Sequence, residues 1–205
     1  ICRSLERKKL ITLHRKENEI STKELSFKPI ERIIAFNEDQ NNVIKELNNS
    51  LNEKQFNSHL LHGVTGSGKT EIFIEAIKKV IKKNKTAILL LPEISLTPQI
   101  AGRFKSVFPG KVALWHSQLT KAQRNSAWEK IHNGIYNIVI GARSAIFTPL
   151  KKIGLIIIDE EHDPSYRQES PSPRYHARDV AIVRAKFEKA NILLSSATPS
   201  LESYY

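Results

Sequence analysis

Residues 62–77 read HGVTGSGKTEIFIEAI. Gly63, Gly68, Lys69 and Thr70 fit the pattern G-x-x-x-x-G-K-[ST], the spacing of a phosphate-binding loop between a strand and a helix. The glycines allow the backbone to curl until successive N–H groups converge on one anion. The candidate nucleotide-binding residues are therefore Gly63, Thr65, Gly66, Ser67, Gly68, Lys69, Thr70 and Glu71. Lys69 would reach the outer phosphates as a point charge, and the Thr70 hydroxyl would ligate Mg²⁺. The helix that follows would add its positive N-terminal end. A Gly/Ser turn with a chance lysine is the plain alternative, and the flanks argue against it. An apolar run, His59–His62, precedes the loop, and Ile72, Phe73, Ala76, Ile77, Val80 and Ile81 follow at helical spacing. Glu71 and Glu75 come early in that helix and Lys78, Lys79, Lys82 and Lys83 late, the order its dipole favours.

The chain has 205 residues and a formal net charge of +11. That length suits one α/β domain with a small appendage. The basic balance favours polyanionic partners such as nucleic acid, although lysine used for solubility would give the same excess. Cys2 is the only cysteine, so neither an internal disulfide nor a cysteine zinc cluster can form within the chain. No signal peptide and no apolar run of membrane-spanning length is present, so the expectation is a cytoplasmic protein with no membrane partner. The chain starts at Ile1 and contains no methionine, which suggests a piece of a longer protein.

Residues 1–25 read as the end of a basic helix, a short strand and a linker, too few for a core. From residue 26 to 205 strand and helix alternate. Asn37 is an N-cap for a helix carrying Val43, Ile44, Leu47 and Leu51. Strands are expected at 86–91, 111–116, 136–140, 153–158 and 191–194, and helices at 97–108, 117–132 and 180–188. Leu119, Ala122, Trp128 and Ile131 are the expected inward positions of the 117–132 helix. Residues 163–179 read as a polar loop. This order predicts an α/β fold with a doubly wound, mainly parallel sheet and ligands at the carboxyl ends of its strands.

The second chemical cluster is Asp159-Glu160-Glu161-His162, preceded by three isoleucines. The acids thus leave the carboxyl end of a buried strand. In a phosphate-loop protein Asp159 would stand beside the Mg²⁺ held by Thr70. Glu160 would orient or deprotonate an attacking water, which makes Lys69, Asp159 and Glu160 the catalytic candidates. An acidic turn pairing with local lysines is the alternative; the phosphate loop upstream favours the catalytic reading.

GVTGSGKTE, DEEHD and SSATPS together resemble the first RecA-like motor lobe of superfamily 2 helicases, most closely the PriA-type replication-restart family. LLLPEISLTPQI, IVIGARSAIFTP and PRYHARDVAIVRA add to the resemblance, which covers about Phe36 to Tyr205. It implies ATP hydrolysis with Mg²⁺, 3′-to-5′ movement on single-stranded DNA, and recognition of forked DNA. Primosome proteins and single-stranded DNA-binding protein are the implied partners. Gln40, on its own a solvated residue at a helix start, matches the glutamine that reads adenine. Arg143 matches a DNA phosphate contact, with a salt bridge inside the lobe as an even alternative; Thr97 and Ser144 would add neutral hydrogen bonds. Ser196 and Thr198 match the motif coupling ATP state to DNA, with His162 bonding toward it. The loop 164–178 resembles one that senses single-stranded DNA, offering Tyr166, Tyr175 and His176 as stacking faces beside Arg167, Arg174 and Arg178. The implied second lobe and zinc-binding cysteines would lie C-terminal to this chain, and residues 1–25 resemble the tail of a winged-helix domain. Another superfamily 2 translocase or RNA helicase, or a non-enzymatic nucleic-acid-binding module, are the competing readings.

Overall fold

A computed structural model describes residues 35–53 and 55–204. The expected winged-helix remnant at 1–25, and the start of the lobe at 26–34, lie outside the described residues. Helix α1 spans Glu38–Asn52, β1 Asn57–His62, α2 Lys69–Lys82, β2 Thr86–Leu90, α3 Pro98–Val107 and β3 Val112–Trp115. Then follow α4 Lys121–His132, β4 Ile138–Gly141, β5 Ile153–Asp159, β6 Arg167–Gln168, β7 Tyr175–His176, α5 Ala177–Glu188, β8 Asn191–Ser196 and α6 Leu201–Tyr204.

Six strands form one sheet in the order β1-β8-β5-β2-β4-β3, every pair parallel. The apolar runs explain why it is covered on both faces. Ala87 and Leu89 of β2 pack with α1, α2 and α3, while Ile88 and Leu90 pack with residues of α4 and α5. A strand buried on both sides has no polar alternation, and β5 shows this with Ile156, Ile157 and Ile158 all inaccessible. Each such isoleucine contributes about 2 kcal/mol by leaving water. Between β2 and β5 the register slips, since Thr86 faces Ile153 but Ala87 faces Leu155. Gly154 is the extra residue, and a Cβ there would sit 2.8 Å from the Lys85 side chain.

Because all six strands run the same way, every loop singled out in the sequence emerges at one edge. The phosphate loop follows β1, the acidic run follows β5, Gly141–Ser144 follows β4 and Ser196–Thr198 closes β8. Gly141 keeps β4 close to β3, since a Cβ on it would come 2.2 Å from the Trp115 carbonyl oxygen.

Two expectations fail. The 117–132 helix begins at Lys121, where Thr120 and Gln123 form a capping box. Of its expected inward residues Ile131 is buried, Leu119 packs at the core's margin, and Ala122 and Trp128 are exposed. The helix lies over the β3 edge of the sheet and meets the core through Ile131, with Ala127 at the margin and the Trp128 ring against Trp115. The polar loop at 163–179 is an ordered element instead. A 3₁₀ turn at Pro164–Tyr166 leads into the antiparallel hairpin β6–β7, and α5 starts at Ala177 rather than Val180. Two-residue strands are too short to show as alternation.

Candidate nucleotide site and nucleic-acid face

At the phosphate loop Gly66 and Gly68 take φ values of 82° and 85°, in the left-handed region glycine favours. Gly68 precedes α2 and no side chain caps that helix, which leaves its first N–H groups directed at the loop. Lys69 is buried, and its Nζ donates to the Gly63 carbonyl at 2.9 Å and to Glu160 Oε1 at 3.0 Å. The loop and the acidic run, ninety residues apart in sequence, therefore meet through one ion pair.

Asp159 ends β5 opposite Ser195 of β8, whose hydroxyl donates to its Oδ1 at 3.0 Å. Burial, and after it the charge of Glu160, raise its carboxyl above the usual aspartate value; Ser195 and Lys69 oppose this. A divalent cation beside the carboxylate would favour its ionised form instead. Among the described residues no group of three or more His, Cys, Asp or Glu could hold a metal alone. One carboxylate and one hydroxyl, Asp159 and Thr70, are the hard oxygen donors that Mg²⁺ accepts while phosphates and water supply the rest. The donor set fits that ion.

Gln40 reaches the loop. Its Nε2 donates to the Ser67 carbonyl at 2.8 Å, and its Oε1 accepts from the Asn37 N–H at 3.0 Å in the capping box of α1. Each end of the amide makes one bond and keeps one further donor or acceptor site. Thr65 is exposed at the loop's tip. The Glu71 carboxylate pairs with Arg103 of α3.

His162 stands against the end of β8. Its Nδ1 lies 2.7 Å from Ser196 Oγ and its Nε2 3.4 Å from Thr198 Oγ1, while Glu160 Oε2 is 3.8 Å from Nδ1. A polar chain thus runs from Lys69 through Glu160 and His162 to the end of β8.

The nucleic-acid candidates divide. Thr97 is exposed as the N-cap of α3, its hydroxyl accepting from the Ile100 N–H. Ser144 is exposed and accepts from Trp115 Nε1 at 3.2 Å. Arg174 is exposed, and Tyr175 is half-buried, edge-on to Phe147. His176 is half-buried and its Nδ1 caps α5 by accepting from the Arg178 N–H; burial lowers its basicity. Arg143 makes no carboxylate salt bridge among the described residues; it donates to the carbonyls of Arg167 at 2.6 Å and Ser165 at 3.4 Å, and lies over the Tyr175 ring.

Two expected contacts are corrected. Tyr166 is inaccessible and offers no stacking face; its hydroxyl donates to the Asp159 carbonyl at 2.6 Å. The 3₁₀ turn places its ring in the core cluster that holds Ile156 and Ile158 of β5 and Ala177 and Ala181 of α5. Arg178 is not a free cation, since its Nη1 donates to the buried Glu161 at 3.1 Å. Glu161 and Ser195 were missed as functional residues. Both sit inside recognised runs, but their partners follow only from the order β1-β8-β5, which no local pattern reveals.

The profile of the DEAD/DEAH box helicase family matches residues 37–205. The replication restart protein PriA of Bacillus subtilis is 49% identical over 171 residues, covering 83% of this chain and 21% of that protein. PriA of Haemophilus influenzae is 52% identical over 148 residues, covering 72% of this chain and 20% of the relative. The chain spans about a fifth of the length of these relatives. In fold it is similar to RecG bound to a three-way DNA junction, with a TM-score of 0.63 at 23% identity, over 83% of this chain and 22% of that one. A hypothetical ATP-dependent RNA helicase from Sulfolobus tokodaii gives a TM-score of 0.58 at 18% identity, over 83% and 49% of the respective chains. With the lobe's fold and the profile match over most of its length in agreement, the chain belongs to the DEAD/DEAH box helicase family.

Proposed function

We propose that this chain is the first, ATP-binding motor lobe of a PriA-type 3′-to-5′ DNA helicase that restarts stalled replication forks. The observation that carries this is the Lys69–Glu160 pair at 3.0 Å, which joins the phosphate loop to the acidic run in a chain about half identical to PriA. An incoming triphosphate offers Lys69 a stronger anionic partner than Glu160. Lys69 then turns to the outer phosphates, and the Glu160 carboxylate is released to orient and deprotonate the attacking water. Thr70 and Asp159 would hold Mg²⁺, whose charge offsets that of the phosphates. Ser195 keeps the Asp159 carboxylate in place.

Unpairing Glu160 also changes what stands beside His162, and through it Ser196 and Thr198. That is a route by which nucleotide state reaches the end of β8 and the nucleic-acid face. The exposed Arg174, Ser144 and Thr97 and the half-buried Tyr175 are the groups proposed to meet single-stranded DNA, with Arg143 holding the hairpin in reach. Forked DNA, primosome proteins and single-stranded DNA-binding protein are the proposed partners, in the cytoplasm. The chain alone should bind Mg-nucleotide and hydrolyse it poorly, because such motors close two lobes on one nucleotide.

Strand displacement by the full-length protein tests the reading. Unwinding of forked DNA carrying a 3′ single-stranded arm, abolished by Glu160→Gln, is the expected result. Unwinding of RNA alone would move the protein to the RNA helicases, and no ATP-dependent unwinding or translocation would leave a binding module.

A further inference from the structure

The amino edge of the sheet lies at the far end of the strands from the nucleotide site, and lysines line it. In sheet order, the turns entering β8, β5, β2 and β3 carry Lys189, then Lys151 and Lys152, then Lys85, then Lys111. The other two strand entries receive a lysine from a neighbouring helix. Lys186 of α5 lies over the ring of Phe56, just before β1, and Lys130 of α4 over the ring of Tyr136, just before β4. All of these lysines are exposed except Lys85, which is half-buried with its side chain beside Gly154.

Backbone bonds fix the row. The Lys111 carbonyl accepts from the N–H groups of Asn137 and Ile138 at 3.0 Å and 3.1 Å, and the Asn137 carbonyl accepts from the Ala87 N–H at 3.0 Å. The Thr86 hydroxyl donates to the Lys151 carbonyl at 2.9 Å, and the Thr86 N–H to the Lys152 carbonyl at 3.1 Å. From Lys189 to Lys111 the row crosses four strand spacings, about 19 Å. Lys152 and Lys189 take φ values of 55° and 50°, in the left-handed region where glycine or asparagine is favoured. Asn84, Gly110 and Gly134 hold that conformation at neighbouring turns, as propensity predicts. Lysine is thus kept at two turns where the backbone alone would select another residue.

The charge is uncompensated. Among the described residues none of these lysines makes an ion pair. The acids nearest in the chain are Glu53, Glu129 and Glu188, and Glu53 accepts from Gln55 and Asn57 instead. Burial, and after it the charges of Lys85 and Lys79, lower the basicity of Lys83 at the same edge. Lysines spread for solubility would stand among acids, as Lys78 pairs with Glu75 on α2. We infer that the amino edge of the sheet is a second nucleic-acid surface, which takes the phosphate backbone of duplex DNA without regard to sequence. Lysine supplies a flexible point charge, which suits phosphates met in no fixed register. The row matches about six base pairs of one strand, which advances about 3.4 Å per pair. Bases of a single strand need open rings to stack on, and the two rings in the row, Phe56 and Tyr136, are half-buried beneath Lys186 and Lys130. The surface shares no residue with the nucleotide site or the hairpin, so the inference goes beyond the proposed reading of the lobe.

The test is binding of a short blunt duplex and of a single-stranded oligonucleotide to the full-length protein, by fluorescence anisotropy across a salt series. The main variant combines Lys111→Gln, Lys151→Gln, Lys152→Gln and Lys189→Gln, all at exposed positions. A smaller variant carries Lys151→Gln and Lys152→Gln alone, and a control carries Lys45→Gln and Lys78→Gln, exposed on α1 and α2. The four-lysine variant should bind duplex at least about tenfold more weakly, with the slope of log affinity against log salt shallower by about two or more. Its single-strand affinity and ATP turnover should stay within about twofold of wild type. The Lys151 and Lys152 pair should lose part of the duplex affinity, and the control pair should keep it. Duplex affinity and salt slope unchanged in the four-lysine variant would overturn the inference. So would a control pair that loses as much as the Lys151 and Lys152 pair, since net charge alone would then be responsible. Equal losses for duplex and single strand would overturn the assignment to duplex. Loss of binding to phosphatidylserine vesicles with duplex affinity intact would overturn it in favour of a membrane surface.

Discussion

Glu160 and Glu161 are adjacent in the chain and face opposite worlds. Glu160, with φ 47°, turns toward the phosphate loop, keeps a quarter of its side chain in contact with solvent and pairs with Lys69. Glu161 turns the other way into the protein and is closed off by Arg178, Ser200 and Ser203. The same contrast separates the two halves of the carboxyl edge. On the phosphate-loop side, charged groups hold one another loosely and can change partners. On the hairpin side, Arg143 and Tyr166 donate to backbone carbonyls and Arg178 to the buried Glu161. The proposed chemistry falls on the first side alone, although residues of the same types make both.

The comparison can be broken at several points. Glu160→Gln in the full-length protein should lower ATP turnover about a thousandfold, the scale of losing a general base, and leave nucleotide affinity nearly unchanged. A loss under about tenfold would remove Glu160 from the chemistry. Arg178→Met should cost about 3 kcal/mol of stability in urea unfolding, because it leaves Glu161 buried without its counter-charge. A cost near zero would mean that the pair is no more fixed than the Lys69–Glu160 pair.

Acid titration sharpens the difference between the glutamates. The folded Glu161 carboxyl titrates below the ordinary glutamate value. Its ionised form therefore favours folding above the ordinary carboxylate range, and that contribution is lost as pH falls through the folded value. The stability gap between wild type and Glu161→Gln should be widest near neutral pH and should close below about pH 4. A gap that widens in acid would contradict this. Smallest of all, Tyr166→Phe should cost about 1 kcal/mol by leaving the Asp159 carbonyl without its donor, with the fold unchanged by circular dichroism. A variant as stable as wild type would leave that anchor without energetic weight.

The phosphate loop was legible in the sequence because its chemistry is local: eight residues supply the glycine conformations, the lysine and the hydroxyl. The doubly wound sheet was legible because β2 and β5 carry uninterrupted apolar runs, which only a strand covered on both faces tolerates. Tyr166 and Arg178 were misplaced for a physical reason. An aromatic or an arginine in a polar segment suits a nucleic-acid surface and a buried anchor equally well, and the choice depends on which strand lies next to β5. The pairing of Glu71 with Arg103 was likewise invisible, since Arg103 stands more than thirty residues further along. Gln40 fell between the two cases, since its helix-start position was visible but its bond to Ser67 was not.

The central claim is that Lys69 serves this lobe as a phosphate ligand that Glu160 holds in waiting. Titration of the chain with a fluorescent Mg-nucleotide, beside a Lys69→Ala variant, addresses it directly. Saturable binding by the wild type that weakens at least about tenfold in the variant is the predicted result. Equal binding by both proteins, or none by the wild type in its full-length form, would contradict it.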